Sequence, residues 1–183
     1  MQEVMNYRSA LYFALGKMST ISDDSEEGRH KLPLSVRLIK EMHKILLDNV
    51  RGQNKSAGEF KTEQNYIGNS AEITCTQLPP ELTQDYMANF EQYIHFDEVD
   101  LLVQAALIHC QFEMIHPFKD GNGRIGRLLI PLFLYYREML PVPTFYMSAY
   151  FEKDRTMYLE KLSAVSQKND YATWIKYFLE GVI

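Results

Sequence analysis

A chain of 183 residues suffices for one domain with a single buried core and is short for two. Its hydrophobic content of 46% and charged content of 23% suit a soluble globular protein, and its formal net charge of -5 argues against a nucleic-acid binder, which carries a basic surplus or stripe. Two cysteines, Cys75 and Cys110, stand without metal-ligand spacing, which argues against a disulfide framework and for a reducing, cytoplasmic setting. The first fifteen residues are amphipathic rather than signal-like, and the longest apolar run, 128–136, is too short to cross a bilayer.

In chain order, residues 3–17 set Val4, Tyr7, Leu11, Ala14 and Leu15 on one helical face, with Gly16 near its end. Residues 19–31 are polar and loop-like. Pro33 opens a helix over 34–48, with Val36, Ile39, Met42, His43, Leu46 and Leu47 on its apolar side. From Gly52 to Pro80 the helical period stops. The β-formers Phe60, Tyr66, Ile67, Ile73 and Thr74 flank the turn signal Gly68-Asn69-Ser70, which predicts a β-hairpin or flap. Helices are predicted over 80–95, 97–115 and 123–138. The second is apolar almost all round, as a central buried helix is, and the third contains Pro131, which should bend it or interrupt one hydrogen bond. Two more, 149–166 and 170–181, close a mainly α domain with one β-flap.

The chemistry concentrates in residues 116–127, HPFKDGNGRIGR. A Gly-Asn-Gly turn opens a helix, so free N–H groups and close backbone approach make an anion nest. Arg124 and Arg127, three apart, share one helix face and can clamp phosphate. A carboxylate at Asp120 would repel that anion unless a bridging Mg²⁺ stood between them. His116 stands at the start of the loop, where a near-neutral imidazole can act as general base. Each piece alone has a bland reading as a structural histidine, a common turn or a solvated arginine face. Together within twelve residues they point to phosphoryl or nucleotidyl transfer.

The segment resembles the Fic motif, His-x-Phe-x-(Asp/Glu)-Gly-Asn-Gly-Arg-x-x-Arg, with every specified position filled. NYRSAL, GEFKTEQNYIG, the double proline at 79–80, QFEMIHPF, SAYFEKDR and WIKYFL are similar to Fic-core segments, so the resemblance runs over about residues 3–181. It implies a Fic fold: a helical bundle of about seven to eight helices with a small β-hairpin flap over the active-site loop. It also implies a protein adenylyltransferase that moves AMP from ATP, with Mg²⁺ as cofactor, to a hydroxyl of a target protein or of the chain itself. By that resemblance His116 is the base and Asp120 the metal ligand, while Phe118 anchors the loop. Gly121, Asn122 and Gly123 cradle the α- and β-phosphates through backbone N–H groups and the Asn amide, while Arg124 takes the β- and Arg127 the γ-phosphate. Ile67 and Gly68 of the flap face the target segment, and Tyr150 and Tyr158 are candidates for the adenine pocket, with core packing the equal alternative. Gly123 separates the chain from Doc-like phosphotransferases, which carry Lys there.

Other donors (UMP, phosphate, phosphocholine) and a nucleotide-sensing module without turnover are the alternatives. The intact His116 and Asp120 favour an enzyme. The family's inhibitory pattern, (Ser/Thr)-x-x-x-Glu-(Gly/Asn), is matched only incompletely, at Glu27-Gly28 and Glu180-Gly181. The resemblance therefore predicts a single catalytic core over 1–183, either a short natural form or one excised from a longer protein with an upstream inhibitory helix and a downstream winged-helix module. Oligomer formation is compatible with it. His30, His43, His95 and His109 show no metal spacing and default to surface or core.

Overall fold

The computed structural model describes residues 2–18, 32–48, 56–69 and 72–182. The polar stretch 19–31, with its Glu27-Gly28 pattern, and Ser70 of the turn signal lie outside the described residues.

Eight α-helices are described: α1 (Gln2–Met18), α2 (Val36–Leu46), α3 (Thr83–Ile94), α4 (Leu101–Ile115), α5 (Asn122–Tyr136), α6 (Ser148–Lys153), α7 (Arg155–Lys168) and α8 (Tyr171–Glu180). A single 3₁₀ turn, Pro80–Leu82, leads into α3. Strands β1 (Tyr66–Asn69) and β2 (Glu72–Thr76) pair antiparallel, with a register shift between Ile67 and Gly68.

Short polar residues set the helix starts. The Ser35 hydroxyl accepts from the Leu38 amide, and Asp100, Asp154 and Asp170 accept from first-turn amides of α4, α7 and α8. Asp154 also explains why the single helix expected over 149–166 is two. Its non-helical backbone, at φ -139° and ψ 82°, breaks 149–166 into α6 and α7, and its carboxylate then caps the second piece.

The nearly all-apolar α4 forms the centre, with Ala105, Ala106, Ile108, Cys110 and Phe112 fully buried. It packs against α5 most extensively and against α3, α7 and α8 besides, while α1 lies on α2 and α5. Trp174 of α8 is fully buried and donates from Nε1 to Ala106 O at 2.8 Å, which joins the last helix to the central one. Pro131 lies inside α5 without ending it. Phe118 anchors the 116–121 loop as expected: it is fully buried, stacks on His43 at 3.8 Å between centroids and meets Phe60 and Phe112. Among the described residues, no helix is long and apolar enough to cross a membrane.

Candidate active site

The loop between α4 and α5 is a short left-handed detour. His116 caps α4 at φ 50°, and Gly121 starts α5 at φ 80°, a conformation that glycine adopts without a Cβ penalty. A Cβ at Gly121 would also stand 3.3 Å from His43 Nε2. Unlike α4, α7 and α8, helix α5 has no side-chain cap at its start, so the N–H groups of its first turn are presented to whatever sits there.

His43, which the sequence could place only on an apolar face, braces this loop. The Gly58 amide donates to its Nδ1 at 2.8 Å, so in the neutral ring Nε2 carries the proton and donates to Asp120 O at 2.9 Å. Burial pulls the His43 pKa down to about 4, which keeps that ring neutral. Asn122 closes the loop from inside: its Oδ1 accepts from the Phe118 amide at 2.8 Å and its Nδ2 donates to Phe118 O at 2.6 Å. The Asn122 amide, expected to reach phosphate, is therefore engaged in shaping the loop, because both its ends meet one residue's backbone.

His116 faces the same loop. Its Nδ1 lies 3.2 Å from Glu113 O, an acceptor only, so the neutral ring carries its proton on Nδ1 and leaves the Nε2 lone pair open. Burial first, and the neighbouring Lys61 ammonium, bring its pKa down to about 4. At neutral pH the ring is thus an unprotonated base.

Around it stand charged groups of both signs. Asp120 Oδ1 accepts from the Gly121 amide at 2.7 Å and lies 3.7 Å from Arg124 Nη2. Arg124 Nη1 is buried with no hydrogen-bond partner among the described residues, a donor that suits an incoming oxyanion. The Arg127 guanidinium lies close over the start of α5, where a Cβ on Gly123 would stand 3.2 Å from its Nη1. Glu113, one turn before His116, is buried beside it; burial pushes its carboxyl up to about 7 while Arg127 pulls it down.

Among the described residues, no group of three or more His, Cys, Asp or Glu could hold a metal ion by itself. The Asp120 carboxylate is a hard oxygen donor of the kind that suits Mg²⁺, an ion that one or two protein carboxylates hold together with substrate phosphates.

A cavity of about 770 Å³ opens along α4 and reaches Ile115 at its end, one residue before His116. It is lined by Gln77 and Leu78 after β2, by Met114 and Ile115 of α4, and by Leu162 and Ser166 of α7, among others. Neither Tyr150 nor Tyr158 lines it. Tyr158 is buried with its hydroxyl 3.1 Å from His109 Nε2, and Tyr150 packs on Tyr177 at 5.0 Å between centroids. Tyr158 is thus packed in the core and Tyr150 is half-buried, and α7 meets the cavity with a face other than that of Tyr158. Residues Leu162 and Ser166, four apart on α7, carried no sequence signal of this kind. Gly121, Asn122, Gly123, Arg124, Arg127, Asp120 and His116 are brought together on one loop and one helix start, and Ile67 and Gly68 lie in β1 of the hairpin.

The model of the Fic/DOC family matches residues 33–134. A protein adenylyltransferase fic-1 of Caenorhabditis briggsae is 30% identical over 143 residues, covering 76% of this chain and 25% of the relative. A protein adenylyltransferase Fic of Drosophila erecta is 32% identical over 106 residues, covering 55% of this chain and 19% of the relative. The chain therefore spans a quarter or less of the length of these curated relatives. Among solved structures, a Fic family protein of Desulfovibrio desulfuricans superposes with a TM-score of 0.77 at 21% identity, over 99% of this chain and 50% of that one. Residues 134–508 of Fic-1 from Caenorhabditis elegans give 0.72 at 25% identity, over 98% and 48%.

Proposed function

Because the chain belongs to the Fic/DOC family, we propose that it is the catalytic core of a protein adenylyltransferase, which moves AMP from ATP to a Ser, Thr or Tyr hydroxyl of a target protein and releases pyrophosphate. The observation that carries the reading is the open Nε2 of a neutral His116 beside an uncapped helix start and an unfilled Arg124 donor. A base, an anion nest and a free guanidinium donor in one place are what in-line attack on a phosphate requires.

In this reading the target hydroxyl gives its proton to His116 Nε2 as its oxygen bonds to the α-phosphorus. The bond from that phosphorus to the bridging oxygen of the β-phosphate breaks, and pyrophosphate leaves with the electron pair. The first-turn N–H groups of α5 at Asn122 and Gly123 hold the phosphate oxygens, Arg124 takes the β-phosphate and Arg127 the γ-phosphate. Asp120 would hold Mg²⁺, which when bound neutralises charge on the leaving pyrophosphate. The adenine base takes the neighbouring cavity between the end of α4 and α7. The hairpin receives the target as an added strand, with Ile67 and Gly68 facing it. The 183 residues then act as one catalytic core working in the cytoplasm.

Mass spectrometry after incubation with ATP and Mg²⁺ tests the reading. Self-modification by the mass of one AMP group supports it, whereas a gain of a phosphate group alone, or no gain, refutes it. His116→Ala should lower transfer by roughly 10²–10⁴-fold and leave ATP binding by calorimetry intact. An active His116→Ala variant would remove His116 from the role of base.

A further inference from the structure

The hairpin does not merely lie near the loop. Four consecutive carbonyls, those of Ile115, His116, Pro117 and Phe118, each accept a hydrogen bond from Lys61 or Asn65, in the segment that leads into β1. Lys61 donates from its backbone amide to Pro117 O at 2.8 Å and from Nζ to Ile115 O at 3.1 Å. The same Nζ donates to Asn65 Oδ1 at 2.9 Å. Asn65 in turn donates from Nδ2 to Phe118 O at 2.9 Å and to His116 O at 3.3 Å.

Two costs show that this arrangement needs an explanation. Lys61 is only 5% exposed, and burying an ammonium is expensive unless every donor is used. Burial accordingly pulls its pKa down to about 8. His116 holds a left-handed backbone directly before Pro117, where sterics favour an extended one. Such a conformation persists only where the surroundings over-determine it, and the five-residue segment 61–65 supplies that constraint on one side as His43 does at Asp120.

We infer that Lys61 and Asn65 are positioning residues for the transfer reaction: they fix the backbone of residues 115–118 so that His116 Nε2 meets the incoming hydroxyl, and they tie that aim to β1, which begins at the next residue, Tyr66. The inference rests on the reading of His116 as the base. A strand laid on the hairpin bears on β1 and, through Asn65, on the histidine, so occupancy of the hairpin and readiness of the base are mechanically linked. The phosphate cradle at Gly121 to Arg127 has its own braces in His43, at Asp120 O, and in Asn122, at the Phe118 backbone, and it meets the clamp at one atom, Phe118 O, which accepts from both Asn65 and Asn122. Because Asn122 and His43 still hold the cradle when Asn65 or Lys61 is changed, the clamp acts on turnover first and on nucleotide affinity little.

The test uses Lys61→Met, which keeps the stem and removes the donors, Lys61→Arg, which restores them, and Asn65→Asp, which keeps the acceptor for Lys61 but turns an oxygen onto two carbonyls. Self-modification at saturating ATP should fall roughly 10²-fold in Lys61→Met and Asn65→Asp, as expected for a base displaced by about 1 Å. ATP affinity by calorimetry should change little, and Lys61→Arg should recover much of the rate. Long-range ¹H–¹⁵N spectra of the imidazoles should show one His116 tautomer in the wild type and a mixture in the two disruptive variants. Wild-type rates in Lys61→Met, a loss that appears only in ATP affinity, or an unchanged tautomer would each overturn the inference. If the wild type transfers no AMP, the functional reading fails and the imidazole spectra still decide on the clamp. Asn65→Ser carries the same readings should Lys61→Met fail to fold.

Discussion

A methyl group added at Gly126 makes the sharpest test of how α4 and α5 fit together behind the active site. The Cβ of Gly126→Ala would fall well inside van der Waals contact of Glu113 Oε1, and 3.2 Å from Glu113 Cδ and 3.3 Å from Phe112 Cδ1. Phe112 is fully buried in the core, so Glu113 must yield, and its Oε1 must retreat by about 1 Å to reach an ordinary distance. That carboxylate is itself buried, with Oε1 lacking a hydrogen-bond partner among the described residues and Oε2 3.8 Å from His116 Nδ1. Overpacking of this kind costs about 1–3 kcal/mol, against about 1 kcal/mol gained by replacing glycine in a helix interior. The net expectation is a loss of about 0–2 kcal/mol. In a Glu113→Ala background the obstructing atoms are gone, and the same methyl group should stabilise by up to about 1 kcal/mol. Urea denaturation of the four proteins closes the cycle, with an expected coupling of roughly 1–3 kcal/mol. Additive effects would refute the packing argument, and a stabilised Gly126→Ala single variant would show that Glu113 moves freely.

Acid should unfold the protein through its buried histidines. His109 has a pKa near 4 because of burial, below its ordinary 6.5, so its neutral ring contributes stability above pH 6.5 that is lost as pH falls through about 4. At 1.36 kcal/mol per pH unit the loss is on the order of 3 kcal/mol, and His109→Phe should flatten the stability curve between those pH values in a urea series. Glu113 runs the other way: its folded pKa near 7 lies above the ordinary 4.5, so its contribution is present below pH 4.5 and lost as pH rises through about 7. Glu113→Gln should thus be more stable than the wild type at pH 8, by thermal melting. Asp120→Asn keeps an oxygen for the Gly121 amide but loses a full charge, so half-maximal transfer should require more Mg²⁺; an unchanged requirement would assign Asp120 to the loop's structure.

Much of this was legible in the chain. The helical period found α1, α2, α4, α5 and α8 because each buries one face or, for α4, nearly all faces. The β-forming run around Gly68-Asn69 found the hairpin. The motif found the loop because its parts are contiguous, and contiguous residues stay together whatever the tertiary packing. Residues that arrive from elsewhere were not legible. His43 is 77 positions from Asp120, and Lys61 is 54 from Ile115, so no local pattern announces either bond. Tyr150 and Tyr158 could be read two ways for a related reason. An aromatic on an amphipathic helix fits a pocket or a core equally well, and for Tyr158 it is the rotation of α7 that places its hydroxyl on His109 and Leu162 at the cavity. The break at Asp154 was missed because a capping carboxylate inside a helical run also reads as a solvated face.

The single tryptophan gives the molecule a built-in optical gauge. Trp174 is sealed from water, its indole N–H is committed to Ala106, and its ring stacks 5.9 Å from His109. An indole so enclosed emits towards the blue, and only water reaching the interface of α4 and α8 can move that emission to the red. A charged imidazolium beside it would quench the emission without moving it. Colour therefore follows the opening of the core, and brightness at constant colour follows the proton on His109.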